Sequence, residues 1–341
     1  MQKVFYCLLV CLNLSNGKTF SQHTPVNSQQ FFLDDSIINV SLTTDIKQLR
    51  TQKNKPAWQP ANIEMRFSDT SVINEQIRIE PRGIDRKAHC DLAALMLNFK
   101  NKTSPLLSPL DKLKLVGSCY TGNTNEDLLL KEFLVYKIYN LLSVMSFRVR
   151  LLHVTYIDSK QKIKSFTQYA FLIESVKDMA ARNNCIEIRN KAFANDALNK
   201  YQVTFMTIFQ YMIGNTDWAI GNYHNIKLIV PKTDTLAKPY PVPYDFDFSG
   251  LVNAPYAIPD EKTDIQNVTQ RFYMGFPRTM EELEMIINVF KEKKESIILA
   301  IKDFNLLNDK TQKNVLRYIE EFYQITGNKS SIRAAFINKA L

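Results

Sequence analysis

The residues best suited to chemistry lie in two nearby stretches, Ile213–Val230 (IGNTDWAIGNYHNIKLIV) and Tyr240–Val252 (YPVPYDFDFSGLV). Asp217 follows a helical pattern that stops at Gly214, and Asn222 stands five residues later. Two strand-like segments then lead to Asp245 and Asp247. Phosphoryl transfer from a metal-bound nucleotide needs a carboxylate to orient or deprotonate the acceptor. It also needs an oxygen ligand for metal and an Asp for the metal that bridges the phosphates. Asp217, Asn222 and Asp245 offer those types in that order. Asp217 is then the catalytic residue, and Asn222 with Asp245 or Asp247 the metal ligands. If Asp245-Phe246-Asp247 is extended, both carboxylates face one side and either can serve. Each residue alone has a plainer role, because Asp and Asn are ordinary cap and turn residues.

A phosphate-holding group would complete the set. Lys114 lies in the apolar strand Leu113–Val116, where a charge is costly unless paired or on the open face. Glu132, eighteen residues on, sits in a helical segment off its apolar stripe. A strand lysine ion-paired to a helix glutamate can hold the α- and β-phosphates of a nucleotide. The plainer alternative is a surface lysine two residues from Lys112. Arg82-Gly83 opens a turn that also carries Arg86 and Lys87. Arginines there can pair phosphate oxygens, with Gly83 permitting close approach, or can simply solvate a hairpin.

The elements that must position these groups follow from periodicity. From residue 37 the chain is strand-like: Ile38–Leu42, Ile63–Phe67, Ile77–Pro81, Leu92–Phe99 and Leu113–Val116, with a loop over Gln48–Asn62. A helix follows, with Thr124 and Asp127 as its start signal and Leu130, Phe133, Leu134, Ile138, Leu141 and Leu142 on one face. Strands Arg148–Ile157 and Phe166–Ile173 come next. A long helix carrying Leu198, Tyr201, Phe205, Phe209 and Met212 then ends at Gly214. A hairpin, Asn225–Val230 with Pro239–Phe246, precedes further helices. One has a Thr279–Glu282 capping box before Leu283–Phe290, and another covers Val315–Tyr323. The pattern predicts an α+β chain: a strand-rich N-terminal lobe (37–175) holding one helix, and a mainly helical C-terminal lobe (176–341).

Composition limits the alternatives. With 341 residues, 45% hydrophobic and 23% charged, the chain is neither disordered nor collagenous. Nine glycines and no G-x-x-x-x-G-K-[ST], H-E-x-x-H or paired CxxC remove the cheapest nucleotide-fold and zinc readings. Residues 1–21 have a basic start, the apolar run Val4–Leu14 and a small-residue exit, the pattern of a secretory signal peptide. Residues 22–36 read as a flexible leader. Loss of Lys3 and Lys18 with the signal lowers the formal charge from +9 to +7. That charge is scattered, so no nucleic-acid partner is expected, and no run is long enough to span a membrane. The expected product is an exported monomer, periplasmic or secreted. Cys90, Cys119 and Cys185 remain; the first two fit either a disulfide or a pair of buried thiols.

Several of these segments together resemble the CotH-type atypical kinases: RIEPRGIDRKAHCDLAALMLNF, LKLVGSCY, KEFLVYKIYNLL, FRVRLLHVTYID, AFLIES, GNTDWAIGNYHN and VPYDFDFSG. The nearest likeness is to a set of exported bacterial proteins close to that family. The family's D-W-x-x-x-N-Y pattern matches Asp217-Trp218 through Asn222-Tyr223, and its D-[FY]-D pattern matches Asp245-Phe246-Asp247. The likeness runs from about Ile77 to Gly250 and lacks the glycine-rich loop of ordinary kinases. It implies a protein-kinase-like two-lobed fold and ATP with Mg²⁺ or Mn²⁺ as cofactors. Asp217 would be the catalytic Asp, Asn222 and Asp245 the metal ligands, and Lys114 with Glu132 the phosphate-holding pair. The acceptor would be a protein or small molecule. The rival expectations are a catalytically silent binding protein on the same fold and an AMP-transferring enzyme.

Overall fold

The computed structural model describes residues 28–51, 57–83, 90–99, 103–104, 107, 110–119, 126–189, 197–261 and 263–340. Residues 1–21, Arg86, Lys87 and Thr124, on which several expectations rest, lie outside them. Seven strands carry the first half: β1 (Ile38–Thr44), β2 (Gln59–Arg66), β3 (Val72–Arg82), β4 (Ala94–Asn98), β5 (Lys112–Gly117), β6 (Val149–Asp158) and β7 (Phe166–Ile173). Their alternating apolar positions face one another. Ile38, Val40, Leu42, Ile63, Ile77, Ile79, Leu95, Leu97, Leu113, Leu115 and Leu172 make one interior core.

These strands close on themselves in the order β1-β2-β3-β4-β5-β7-β6. The closing contact is parallel, β1 against β6, with Ile38 opposite Leu152 and Leu42 opposite Tyr156. This overturns the expected two-lobed kinase-like fold, whose first lobe would be an open sheet. Alternation in a strand tells which face is buried, but not which edges pair, so closure could not be read from it. The expected loop over Gln48–Asn62 is also shorter. A helix, α1 (Ser28–Phe31), precedes the barrel, and α2 (Ile46–Thr51) follows β1 directly, its first N–H capped by Asp158 Oδ1 at 3.1 Å. β2 starts at Gln59, a buried polar residue that disguises the strand.

The long helix of the barrel region, α3 (Glu126–Leu142), is buried on several sides. It contacts β6 and β7 on one side and the C-terminal helices on the other, within one continuous core. That shared core is a second reason the halves are not separate lobes. It also explains why Glu132, expected off the apolar stripe, is 1% exposed. Thereafter come α4 (Val176–Arg182), β8 (Cys185–Ile188), α5 (Lys200–Ile213), β9 (Ile226–Pro231) and β10 (Tyr240–Pro243), with β8, β9 and β10 forming an antiparallel sheet. Helices α6 (Met280–Glu292), α7 (Lys294–Lys302), α8 (Asp309–Ile325) and α9 (Lys329–Ile332) complete the chain before a π-turn at Arg333–Ile337. The Thr279–Glu282 capping box is present at the start of α6. Cys90 and Cys119 form a disulfide and Cys185 is a buried free thiol. Among the described residues no helix is long and apolar enough to cross a membrane.

Candidate functional site

Helix α5 ends on Gly214 in the left-handed conformation (φ 66°), which glycine adopts without a Cβ penalty. Space demands glycine as well, because a Cβ here would run into the Tyr318 hydroxyl. The turn after it is tied to the segment that follows the β9–β10 hairpin: Gly250 N–H donates to Gly214 O (2.9 Å) and Leu251 N–H to Ile213 O (3.0 Å). The two stretches singled out in the sequence are thereby bonded to each other.

Phe246 anchors the second stretch. It is fully buried, with its ring 4.7 Å from Tyr136 of α3 and 5.6 Å from Phe209 of α5. Asp245 and Asp247 flank this anchor, but not on an extended strand. Asp245 has φ 65°, and its N–H donates to the Tyr136 hydroxyl at 2.8 Å. The carboxylates of Asp245, Asp247 and Glu132 have oxygens all within 4.8 Å of one another. The kink at Asp245, rather than a strand pleat, therefore accompanies their convergence. Asp247 also accepts from the Tyr256 hydroxyl at 3.1 Å. Burial, reinforced by the Glu132, Asp245 and Asp247 charges, pushes the Tyr136 phenol up; its N–H partner at Asp245 opposes this.

Lys114 lies on the outer face of the barrel, half-buried, with its Nζ 4.4 Å from the centroid of the Tyr244 ring. Lys227 of β9 sits 5.5 Å from the same ring. Burial, with the Arg82 and Lys227 charges, lowers the Lys114 ammonium to about 7; Asp245 and Glu187 oppose that. Among the described residues Lys114 and Glu132 do not form the expected ion pair. The acids near Lys114 are Asp245 and Glu187, and Glu132 joins the carboxylate group instead. The cause is the placement of α3, which turns Glu132 toward Asp245 and Asp247. Arg82 ends β3 near Lys114, beside Gly83 at φ 86°.

Asp217 lies in the turn after α5. Its Oδ1 is 2.6 Å from His224 Nε2, and its Oδ2 and backbone carbonyl both accept from Asn225 Nδ2, at 2.9 and 2.8 Å. Asn225 O in turn accepts from Tyr244 N–H at 3.0 Å, which links Asp217 to the residue before Asp245. Asn222 is exposed, and its side-chain oxygen accepts the His224 N–H at 3.1 Å in a turn. The structure thus gathers Glu132, Asp245 and Asp247, sets Lys114 and Arg82 beside Asp245, places Asp217 one hydrogen-bond relay away, and leaves Asn222 outside the carboxylate group.

Sequence reasoning missed Tyr136, Lys227, Tyr244 and Asn225. Asn225, Lys227 and Tyr244 stand inside the two stretches singled out at the start and Tyr136 inside KEFLVYKIYNLL, but only the packing shows which groups their side chains meet. No protein-family profile and no curated protein matches the chain.

Proposed function

We propose that this chain is an exported phosphotransferase that moves phosphate from ATP to an acceptor with the help of Mg²⁺ or Mn²⁺. The observation that carries the reading is the clustering of Glu132, Asp245 and Asp247 beside the cations Lys114, Arg82 and Lys227. Carboxylates at this separation fit a hard divalent ion, since opposed oxygens around Mg²⁺ lie about 4.2 Å apart and those around Ca²⁺ about 5 Å. Such an ion, when bound, offsets charge on the phosphates. In this reading Lys114 and Arg82 bind phosphate oxygens. Asp217, held by His224 and Asn225, accepts the proton of the acceptor hydroxyl at a carboxylate oxygen. The Cys90–Cys119 disulfide supports an oxidising compartment, in keeping with the signal-like residues 1–21. Asn222 has a turn role here rather than a metal role.

The test combines metal-dependent thermal stabilisation by ATP with intact mass after incubation. The wild type should be stabilised by ATP with Mg²⁺ or Mn²⁺ and gain phosphate, on itself or on a supplied acceptor. Asp245→Asn should lose the stabilisation. Asp217→Asn should keep it, while transfer falls by roughly 10²–10⁴-fold, the usual contribution of a positioned base. Absence of any nucleotide effect with either metal, or equal transfer by wild type and Asp217→Asn, would overturn the reading.

A further inference from the structure

Beyond this site, the outer face of the barrel carries a polar groove of about 520 Å³ across β2, β3 and β4. The strand register builds it. Pro60 stands opposite Arg78, Arg78 opposite Asn98, and Asn98 opposite Lys112, giving one row of side chains across four strands. Asn62 opposite Gln76 makes the next row. At ~4.8 Å per strand the first row is about 14 Å long. Trp58 borders it: Arg78 Cζ lies 5.9 Å and Lys112 Nζ 5.4 Å from its ring centroid. Arg78 and Lys112 are exposed, and neither has an ion-pair partner among the described residues.

We propose that this groove binds an acidic oligosaccharide, of the uronate kind. Side-chain amides of Asn62 and Gln76 each offer a donor and an acceptor, the pairing that sugar hydroxyls satisfy. Arg78 presents a planar fork that matches a carboxylate with two parallel hydrogen bonds, and Lys112 adds a second positive charge four or five ångströms per strand further along. Trp58 is a large flat apolar surface beside the groove, suited to the C–H face of a sugar ring. A peptide added as an extra strand does not fit, because β2–β5 are paired on both edges within a closed barrel. A single-stranded nucleic acid would want several stacking aromatics along a basic track, and among the described residues this face offers one aromatic and two cations. Lys112 is two residues from Lys114, about 7 Å along β5, so the groove adjoins the phosphate side of the candidate site without sharing its residues.

Calorimetric titration of the purified protein with tetragalacturonate tests this, with maltotetraose and a twelve-residue oligothymidylate as comparators. The acidic tetrasaccharide should bind saturably, and maltotetraose at least about tenfold more weakly. Arg78→Gln and Lys112→Gln should each weaken tetragalacturonate binding by about tenfold or more at an unchanged melting temperature. If Trp58→Ala lowers the melting temperature, these two surface variants carry the test alone. No saturable binding of tetragalacturonate, unchanged binding in both variants, or equal binding of the oligothymidylate would overturn the proposal. None of these outcomes depends on ATP or metal, so they are separable from failure of the phosphotransferase reading.

Discussion

Lys114→Met puts the electrostatics of the candidate site to a direct test. The ammonium sits half-buried, 4.4 Å from the Tyr244 ring centroid, and its protonation is lowered from the ordinary lysine value of 10.5 to about 7, chiefly by burial. In the unfolded chain the same group titrates normally. Below pH 7 it is charged in both states, and the folded protein bears the full desolvation cost. Between pH 7 and 10.5 the unfolded chain binds more protons than the folded one, so stability rises with pH. Above 10.5 both are neutral and the cost is gone. At ~1.4 kcal/mol per pH unit the whole effect is about 5 kcal/mol. The cation–π contact with Tyr244 returns about 1–2 kcal/mol, and partial exposure screens some of the rest, which leaves about 2–3 kcal/mol. Methionine has similar length and no charge. Denaturant unfolding of wild type and Lys114→Met at pH 6, 8 and 10, without metal, measures the gap. The variant should gain about 2–3 kcal/mol relative to wild type at pH 6, and that gain should shrink by pH 10. Any constant offset from the thioether cancels in the comparison. Parallel profiles across this range, or a gap that widens with pH, would refute the placement of Lys114 in a desolvated, cation-rich site.

Two further outcomes test the frame around the site. Gly214→Ala should destabilise by about 2–4 kcal/mol in urea unfolding, since φ 66° disfavours a Cβ and that atom would meet the Tyr318 hydroxyl; unchanged stability would show that the α5 exit is not fixed as described. Denatured, non-reduced protein lacking residues 1–21 should titrate one thiol, Cys185; three would exclude the Cys90–Cys119 bridge, which spans 29 residues and is worth about 3–4 kcal/mol on loop entropy.

Much of this frame was legible in the sequence, for reasons that are local. Strands β1, β2 and β3 show period-two alternation, the end of α5 carries its glycine, and the α6 capping box is a four-residue signal. Asp217, Asp245 and Asp247 were legible because they fall within two short stretches that a single hairpin joins. What escaped is non-local. Closure needs β1 to meet β6 across more than a hundred residues, and nothing within either strand specifies that partner. Glu132 reads as a helix position off the apolar stripe until α3 is packed between the barrel and α7 and α8. Its company with Asp245 and Asp247, in place of Lys114, follows from that packing. Tyr136 looks like one more core aromatic, and its hydroxyl becomes meaningful only once Asp245 N–H is found 2.8 Å away.

The remaining features converge on the same place. Among the described residues seven non-glycine residues have positive φ, and three of them, Tyr223, Asn225 and Asp245, belong to the two linked stretches around the carboxylates. Asn tolerates this conformation, whereas a bulky Tyr and a mid-segment Asp do so at a cost on the order of 1–3 kcal/mol each. Both are held by specific bonds: Tyr223 N–H to Ile220 O at 3.2 Å, and Asp245 N–H to Tyr136 Oη at 2.8 Å. The same small region buries Glu132 beside two more carboxylates and half-buries Lys114 among cations. An apolar residue at 114 would relieve the desolvation cost there without touching the core, whereas Tyr223 also packs against the cluster around Trp218 and Ile226. Local strain, like charges brought together and a desolvated lysine are separately unfavourable, and a ligand that pairs the charges and needs the fixed geometry would offset them, as the proposed function requires. In the phosphotransferase reading proposed above, a hard cation would answer the carboxylates and phosphate oxygens would answer Lys114 and Arg82, so that a single metal–nucleotide complex would relieve both sets at once.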